Sequence, residues 1–347
     1  MRQKKHFVVW GISAILILFF VPMMISLMMY EHQFGNRHET PSYLKYDLSE
    51  FQNLEQTPAH FKSNKGQILS GYLYRHSDVF QPQGIIILAH GFGVGHNTYL
   101  PEIDFMAQNG YIVFAYDGTG NDESEGESIV GLPQAVIDLD YAINNIKNDE
   151  EFEDLPIMLY GHSIGGYAVI NVLSQHPDIT AVVERSGFYE SAELICQIGT
   201  QKVGPLFKVL NPYIRLYEQL KFGGYANLNG LDILAQTEVK VMFMHSEDDE
   251  VISYDQSFAK YQSLFNTRSN FQFISYQDRG HDVVVDTQLN KLLQIQLRED
   301  YKLYQELPDD IKMMYDEVLY DRDERLDVSV MQDVIDFYNQ SIIREYE

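Results

Sequence analysis

Cysteine is almost absent from this 347-residue chain. Cys196 stands alone, so the chain has no internal disulfide and no multi-cysteine zinc site. Cations are scarce too. There are 25 Lys and Arg against 50 Asp and Glu, a formal charge of −25 with a pI near 4.7. Nucleic acid is therefore a poor partner, because phosphate contacts need cations to displace counterions. No two histidines fall in an H-x-x-x-H or H-E-x-x-H pair, and no metal is expected. The glycines of 91–95 do not make G-x-G-x-x-G, so no dinucleotide cofactor is expected. No repeat or low-complexity tract is evident. At 45% hydrophobic and 13% aromatic, the chain is not a disordered acidic tail either. Its length suits one large domain or two small ones.

The acid itself is missing from one place. Residues 1–30 hold Arg2, Lys4 and Lys5 but no Asp or Glu. From Phe7 to Tyr30 there are 24 positions without a charge, about 36 Å as a helix against a hydrocarbon core of roughly 30 Å. Trp10 and Tyr30 lie near its ends, where amphipathic rings favour the interface. The run is too long for a signal-peptide core, and Ser26 to Tyr30 is a poor cleavage site. The expectation is an uncleaved single-pass anchor at 7–30 after a cytoplasmic start at 1–6. Lys and Arg before the span put the N-terminus inside the cell and the rest outside the cytoplasm, at the cell membrane. Residues 31–58 are expected to form a polar stalk, and 59–347 the folded domain.

That domain shows a regular rhythm. Two short alternating runs, 60–63 and 67–75, flank Asn64-Lys65-Gly66 and predict a hairpin. Continuous apolar runs at 84–89, 111–116, 157–160, 181–183, 239–245 and 271–275 fit strands buried on both faces. Helical spacing falls between them at 100–108, 132–146, 164–174 and 254–265. Such alternation predicts an α/β fold, a mostly parallel central sheet with helices on both faces. Residues 187–236 exceed what one crossover needs and are expected to form an inserted helical cap. A further segment, 287–327, is expected to be helical and acidic.

Chemistry gathers at the ends of the predicted strands. Gly161-His162-Ser163-Ile164-Gly165 fits G-x-S-x-G between a strand and a helix, the context in which that pentapeptide carries meaning. A serine hydroxyl needs a base, and the expected order is serine, acid, histidine. His281 follows the 271–275 strand and is the expected base. Asp248 and Asp249 follow the 239–245 strand, and the spacing to Val251 favours Asp249. An oxyanion needs two donors. The expected pair is the backbone N–H of Ile164 and that of Phe92, in the loop His90-Gly91-Phe92-Gly93.

With these residues the chain resembles the α/β-hydrolase superfamily over about 58–286 plus a closing helix at 328–338. Gly161-His162-Ser163-Ile164-Gly165-Gly166 is similar to the G-H-S-x-G-G of the serine-aminopeptidase and monoglyceride-lipase branches. His245 to Val251 is similar to H-G-x-x-D-x-V, with Ser246 in place of the glycine. Asp117 to Gly126 resembles the loop usually written D-x-x-G-x-G-x-S, but Asn121-Asp122-Glu123 alters its spacing. The resemblance implies the α/β-hydrolase fold and an acyl-enzyme mechanism through Ser163, Asp249 and His281, with His90, Gly91, Gly161, His162 and Gly165 supporting them. The substrate is expected to be a small, partly apolar ester or a peptide. A non-catalytic surface binding protein and a lyase-like or acyltransferase use of the same residues are the alternatives. Oligomeric state is not readable.

Overall fold

The computed structural model describes residues 19–285 and 326–342. Ten strands are seen there: β1 (Leu54–Pro58), β2 (Phe61–Lys62), β3 (Ile68–Leu69), β4 (Gly71–His76), β5 (Gly84–Ala89), β6 (Tyr111–Tyr116), β7 (Ile157–His162), β8 (Ala181–Arg185), β9 (Lys240–Ser246) and β10 (Phe271–Tyr276). Eight form one sheet in the order β1-β4-β6-β5-β7-β8-β9-β10. From β6 to β10 every neighbouring pair is parallel, and β1 and β4 are antiparallel at one edge. The expected hairpin is split. Phe61 pairs with Leu69 in a two-stranded ribbon, and the chain turns at Ser70 to send Gly71–His76 into the main sheet.

The apolar runs explain why β5 to β9 are central. Successive side chains of Ile85-Ile86-Ile87-Leu88 enter opposite cores, Ile85 and Ile87 on one face and Ile86 and Leu88 on the other. Helices cover both faces: α2 (Leu100–Gln108), α3 (Leu132–Lys147), α4 (Ile164–Asn171), α8 (Phe258–Phe265) and the closing α9 (Val328–Ile342). Between β8 and β9 the chain makes only helices and turns, α5 (Ser191–Val203), α6 (Asn211–Phe222) and α7 (Gly230–Leu234). This is the segment expected as a cap. The acidic segment expected at 287–327 falls almost wholly outside the described residues. Its flanks meet, since Val285 bridges Leu326 and Arg279 pairs with Asp327 at 2.7 Å.

The described residues meet only part of the N-terminal expectations. No helix among the described residues is long and apolar enough to cross a membrane. Residues 7–18 of the expected span lie outside the described residues. The remainder belongs to helix α1 (19–34), which packs along the cap. Tyr30 and Phe34 are buried, and the Tyr30 hydroxyl donates to Glu218 of α6 at 3.0 Å. Tyr30, expected at a membrane interface, is therefore a buried protein contact. Burying a side chain of this size stabilises by about 1.5–3 kcal/mol.

The expected stalk at 31–58 does not stand free either. Arg37 donates to the carbonyls of Asp122, Ser124 and Gly126. Asp122 accepts the Thr40 N–H at 2.7 Å and its hydroxyl at 2.6 Å. The altered spacing at Asn121-Asp122-Glu123 is thus where residues 37–45 dock. Leu54–Pro58 then enters the sheet as β1.

Candidate active site

Ser163 lies between β7 and α4 with φ +57° and ψ −115°. A non-glycine residue there is strained, and the strain lifts its hydroxyl out of the turn. The flanking glycines permit this turn. A Cβ on Gly161 would strike the carbonyl of Gly165, and one on Gly165 would strike the carbonyl of Ala89. The Ser163 N–H is fixed to the Arg185 carbonyl at 2.9 Å.

Asp249 and His281 follow β9 and β10, the last two strands. His281 Nδ1 is 2.8 Å from Asp249 Oδ2. The Asp249 carboxylate is fully used: Oδ1 accepts the N–H groups of Val251 at 2.8 Å and Ile252 at 2.9 Å, and Oδ2 also meets His245 Nε2 at 3.1 Å. Burial alone would raise the Asp249 carboxyl. The hydrogen bonds and charges of the two histidines outweigh it and hold the group well below the usual carboxylate range. Asp248 does something else. Its Oδ1 accepts the Ser246 hydroxyl at 2.6 Å and the Gly280 N–H at 2.8 Å, anchoring the loop that carries His281. Ser246 takes part in that anchor. Between these two aspartates the geometry selects Asp249 as the imidazole's partner. No hydrogen bond joins the Ser163 hydroxyl to His281 among the described residues.

The loop after β5 faces the serine turn. His90 Nε2 accepts the Gly118 N–H at 2.8 Å and Nδ1 lies 2.7 Å from the Gly91 carbonyl, so Nδ1 carries the proton. Burial lowers the His90 pKa and keeps the ring neutral. The N–H groups of Phe92 and Ile164 make no hydrogen bond among the described residues. Both residues border the same cavity as Ser163. Two free donors beside a strained serine make a cradle for an oxyanion.

A chain of hydrogen bonds ties these parts together. Gly91 N–H donates to the Tyr99 hydroxyl at 2.8 Å, and that hydroxyl meets His162 Nδ1 at 2.8 Å. His162 Nε2 meets the His281 carbonyl at 3.2 Å. Burial first, then the nearby Arg185 charge, pushes the His162 pKa well down. A neutral ring accepting at Nδ1 donates from Nε2, so one directional chain runs from the loop after β5 to the His281 loop. Sequence reasoning gave His162 only a supporting place. It missed Tyr99, which follows no motif. It also missed the role of His245, whose signal lay in the H-x-x-x-D spacing. Arg185 went unnoticed as well. It donates to the Asp282 carbonyl at 3.0 Å and pairs with Glu102 at 3.3 Å.

A cavity of about 280 Å³ leads from Ser163 and Ile164 beneath the cap. Leu194, Ile198, Phe207 and Ile214 line it, and no Asp or Glu does among the described residues. An open acidic cleft of about 560 Å³, lined by Glu247, Glu250 and Asp255, meets the site from the other side at Val251. No cluster of metal-ligating side chains occurs among the described residues.

Known proteins carry parts of this arrangement. The family described as serine aminopeptidase, S33, matches residues 80–229. That stretch includes the serine turn and most of the cap and stops short of Asp249 and His281. Monoglyceride lipase of Mus musculus is 31% identical over 120 residues, 34% of this chain and 38% of that protein. Monoglyceride lipase of Rattus norvegicus is 29% identical over a stretch covering the same shares. The chain thus spans under two-fifths of these relatives' length. Among solved structures, a Pyrococcus furiosus esterase superposes with a TM-score of 0.54 at 17% identity, covering 71% of this chain and 90% of the esterase. Est1E of Butyrivibrio proteoclasticus, solved with ferulic acid, gives a TM-score of 0.56 at 16% identity, covering 82% and 100%. These likenesses show the fold. Family match, lipase relatives and fold together support the α/β-hydrolase superfamily.

Proposed function

We propose that the chain is a serine hydrolase that cleaves carboxylic esters with an apolar acyl group. The observation that carries this is the saturated Asp249–His281 pair, 2.8 Å apart, set beside a strained serine at the mouth of an apolar cavity. In this reading His281 Nε2 takes the proton as Ser163 Oγ attacks the ester carbonyl. The tetrahedral oxyanion is held by the N–H groups of Phe92 and Ile164. The His281 proton passes to the leaving alcohol, and Ser163 keeps the acyl group. Water repeats the attack with His281 again as base, releasing the acid and free Ser163. The Ser163–His281 hydrogen bond forms with substrate bound, since such contacts tighten in the Michaelis complex.

The test is a fluorophosphonate probe together with a panel of p-nitrophenyl esters. The wild type is expected to label and turn over, and Ser163→Ala to do neither. Absence of wild-type labelling, or equal labelling of Ser163→Ala, would favour the non-catalytic binding protein. A second reading, an aminopeptidase-like activity, is favoured by the acidic cleft at Glu247, Glu250 and Asp255, whose carboxylates suit a cationic amine. Turnover of aminoacyl-naphthylamides without ester turnover would select it.

In the same reading the protein sits at the cell membrane with its domain outside the cytoplasm. The support is the cationic start at Arg2, Lys4 and Lys5 ahead of an uncharged run. A surface protease applied to intact cells checks this. Protection of the domain would refute the orientation.

A further inference from the structure

The cavity beneath the cap has two walls of different origin. One is the cap itself. The other is α1, which contributes Met29, Tyr30, Gln33 and Phe34. Helix α1 lies outside the 80–229 stretch that matches the family. It is clamped in place. Tyr30 donates to Glu218 at 3.0 Å, and Ser191 donates to the same carboxylate oxygen at 2.5 Å. Glu31 receives Tyr217 and Lys221, each at 2.5 Å. Phe34 packs edge-on to Phe92, with ring centroids 6.1 Å apart. The wall therefore touches the residue whose N–H faces the oxyanion position.

From this we infer that α1 is the chain-length gauge of the acyl site, with Met29 and Phe34 as the residues that set it. The inference rests on the hydrolase reading above and names its substrate class: esters of medium-length unbranched acyl chains. The cavity of about 280 Å³ takes on the order of nine water-sized groups at roughly 30 Å³ each. A methylene is of similar size, so an acyl chain of about eight to ten carbons fills it. Each buried methylene is expected to raise kcat/KM about fourfold until the space is full.

The experiment uses the full chain and p-nitrophenyl esters from acetate to palmitate, with calorimetric binding of decanoate to Ser163→Ala alongside. In the wild type kcat/KM climbs to an optimum near eight to ten carbons and then falls. Met29→Trp fills the wall, moves the optimum to shorter chains and lowers the decanoyl-to-acetyl ratio about tenfold or more. Phe34→Ala opens it and moves the optimum to longer chains. An optimum unmoved in both variants, each melting as a folded protein, would overturn the gauge. Should the wild type hydrolyse no ester, binding still decides. Decanoate bound by Ser163→Ala and lost on adding Met29→Trp upholds the wall while the hydrolase reading fails. Decanoate binding indifferent to Met29→Trp refutes the wall.

Discussion

The two sides of Ser163 are built from opposite materials. On the base side, beyond β9 and β10, directional contacts hold the loops. Asp249 uses both oxygens, Asp248 holds Gly280, and Arg185 holds the Asp282 carbonyl. On the acyl side, under the cap and α1, the lining is predominantly aliphatic and aromatic, and the polar contacts stand behind it at Glu218 and Glu31. In the hydrolase reading, the difference follows from what each side has to do. Proton transfer needs atoms fixed to fractions of an ångström, which only saturated hydrogen-bond networks supply. Acyl binding needs volume and dryness, which packing supplies without orientation. A change on the base side should therefore lower the rate for every substrate alike, whereas a change on the acyl side should alter the ranking of substrates.

Three substitutions sharpen or break that contrast. Asp249→Asn should have the largest effect, a fall in kcat of about 10⁴-fold on all esters, because the amide cannot hold the imidazole in its tautomer. Steady-state rates on short and long esters check it. A loss confined to long chains, or a larger loss in Asp248→Asn, would break the comparison. Tyr99→Phe should come next. It leaves the Gly91 N–H and His162 Nδ1 unpaired in a buried place, at a cost of about 1–3 kcal/mol. The loosened chain should lower kcat about tenfold with KM nearly unchanged. A KM effect without a kcat effect would assign Tyr99 to substrate binding instead.

Glu184→Gln should be smallest in rate and visible in stability. Burial raises the Glu184 carboxyl to about 7 from its ordinary value of 4.5. The folded state therefore keeps a proton that the unfolded chain releases between those values. Stability from this group is full below about 4.5 and declines as pH rises to about 7. The glutamine should remove that part of the slope and stabilise the protein at pH 8 by up to about 3 kcal/mol. Glu218, also pushed to about 7 by burial, leaves a residual slope in the variant. Urea titrations at pH 5 and pH 8 compare the two proteins, and equal slopes would refute the assignment.

Much of the sheet was legible because buried parallel strands are written as unbroken apolar runs, as in Ile85-Ile86-Ile87-Leu88. Ser163, Asp249 and His281 could be nominated from the sequence because each follows such a run at a spacing the chemistry requires. The Asp249–His281 contact then followed from parallel β9 and β10 lying side by side. Tyr99 could not be read, since its hydroxyl matters only where α2, β5 and β7 converge. At the N-terminus, apolarity reports that a segment avoids water but not what covers it, and for Tyr30 the cover is Glu218 and Tyr217 of the cap.

The sequence alone determined the strand-helix alternation and the glycines that permit the serine turn. These are local demands of backbone sterics, carried by residues near one another along the chain. Tertiary structure alone decided how His162 and Tyr99 join three loops, and that α1 walls the cavity. Those are contacts between residues far apart in sequence, settled only when the sheet and cap bring them within a few ångströms.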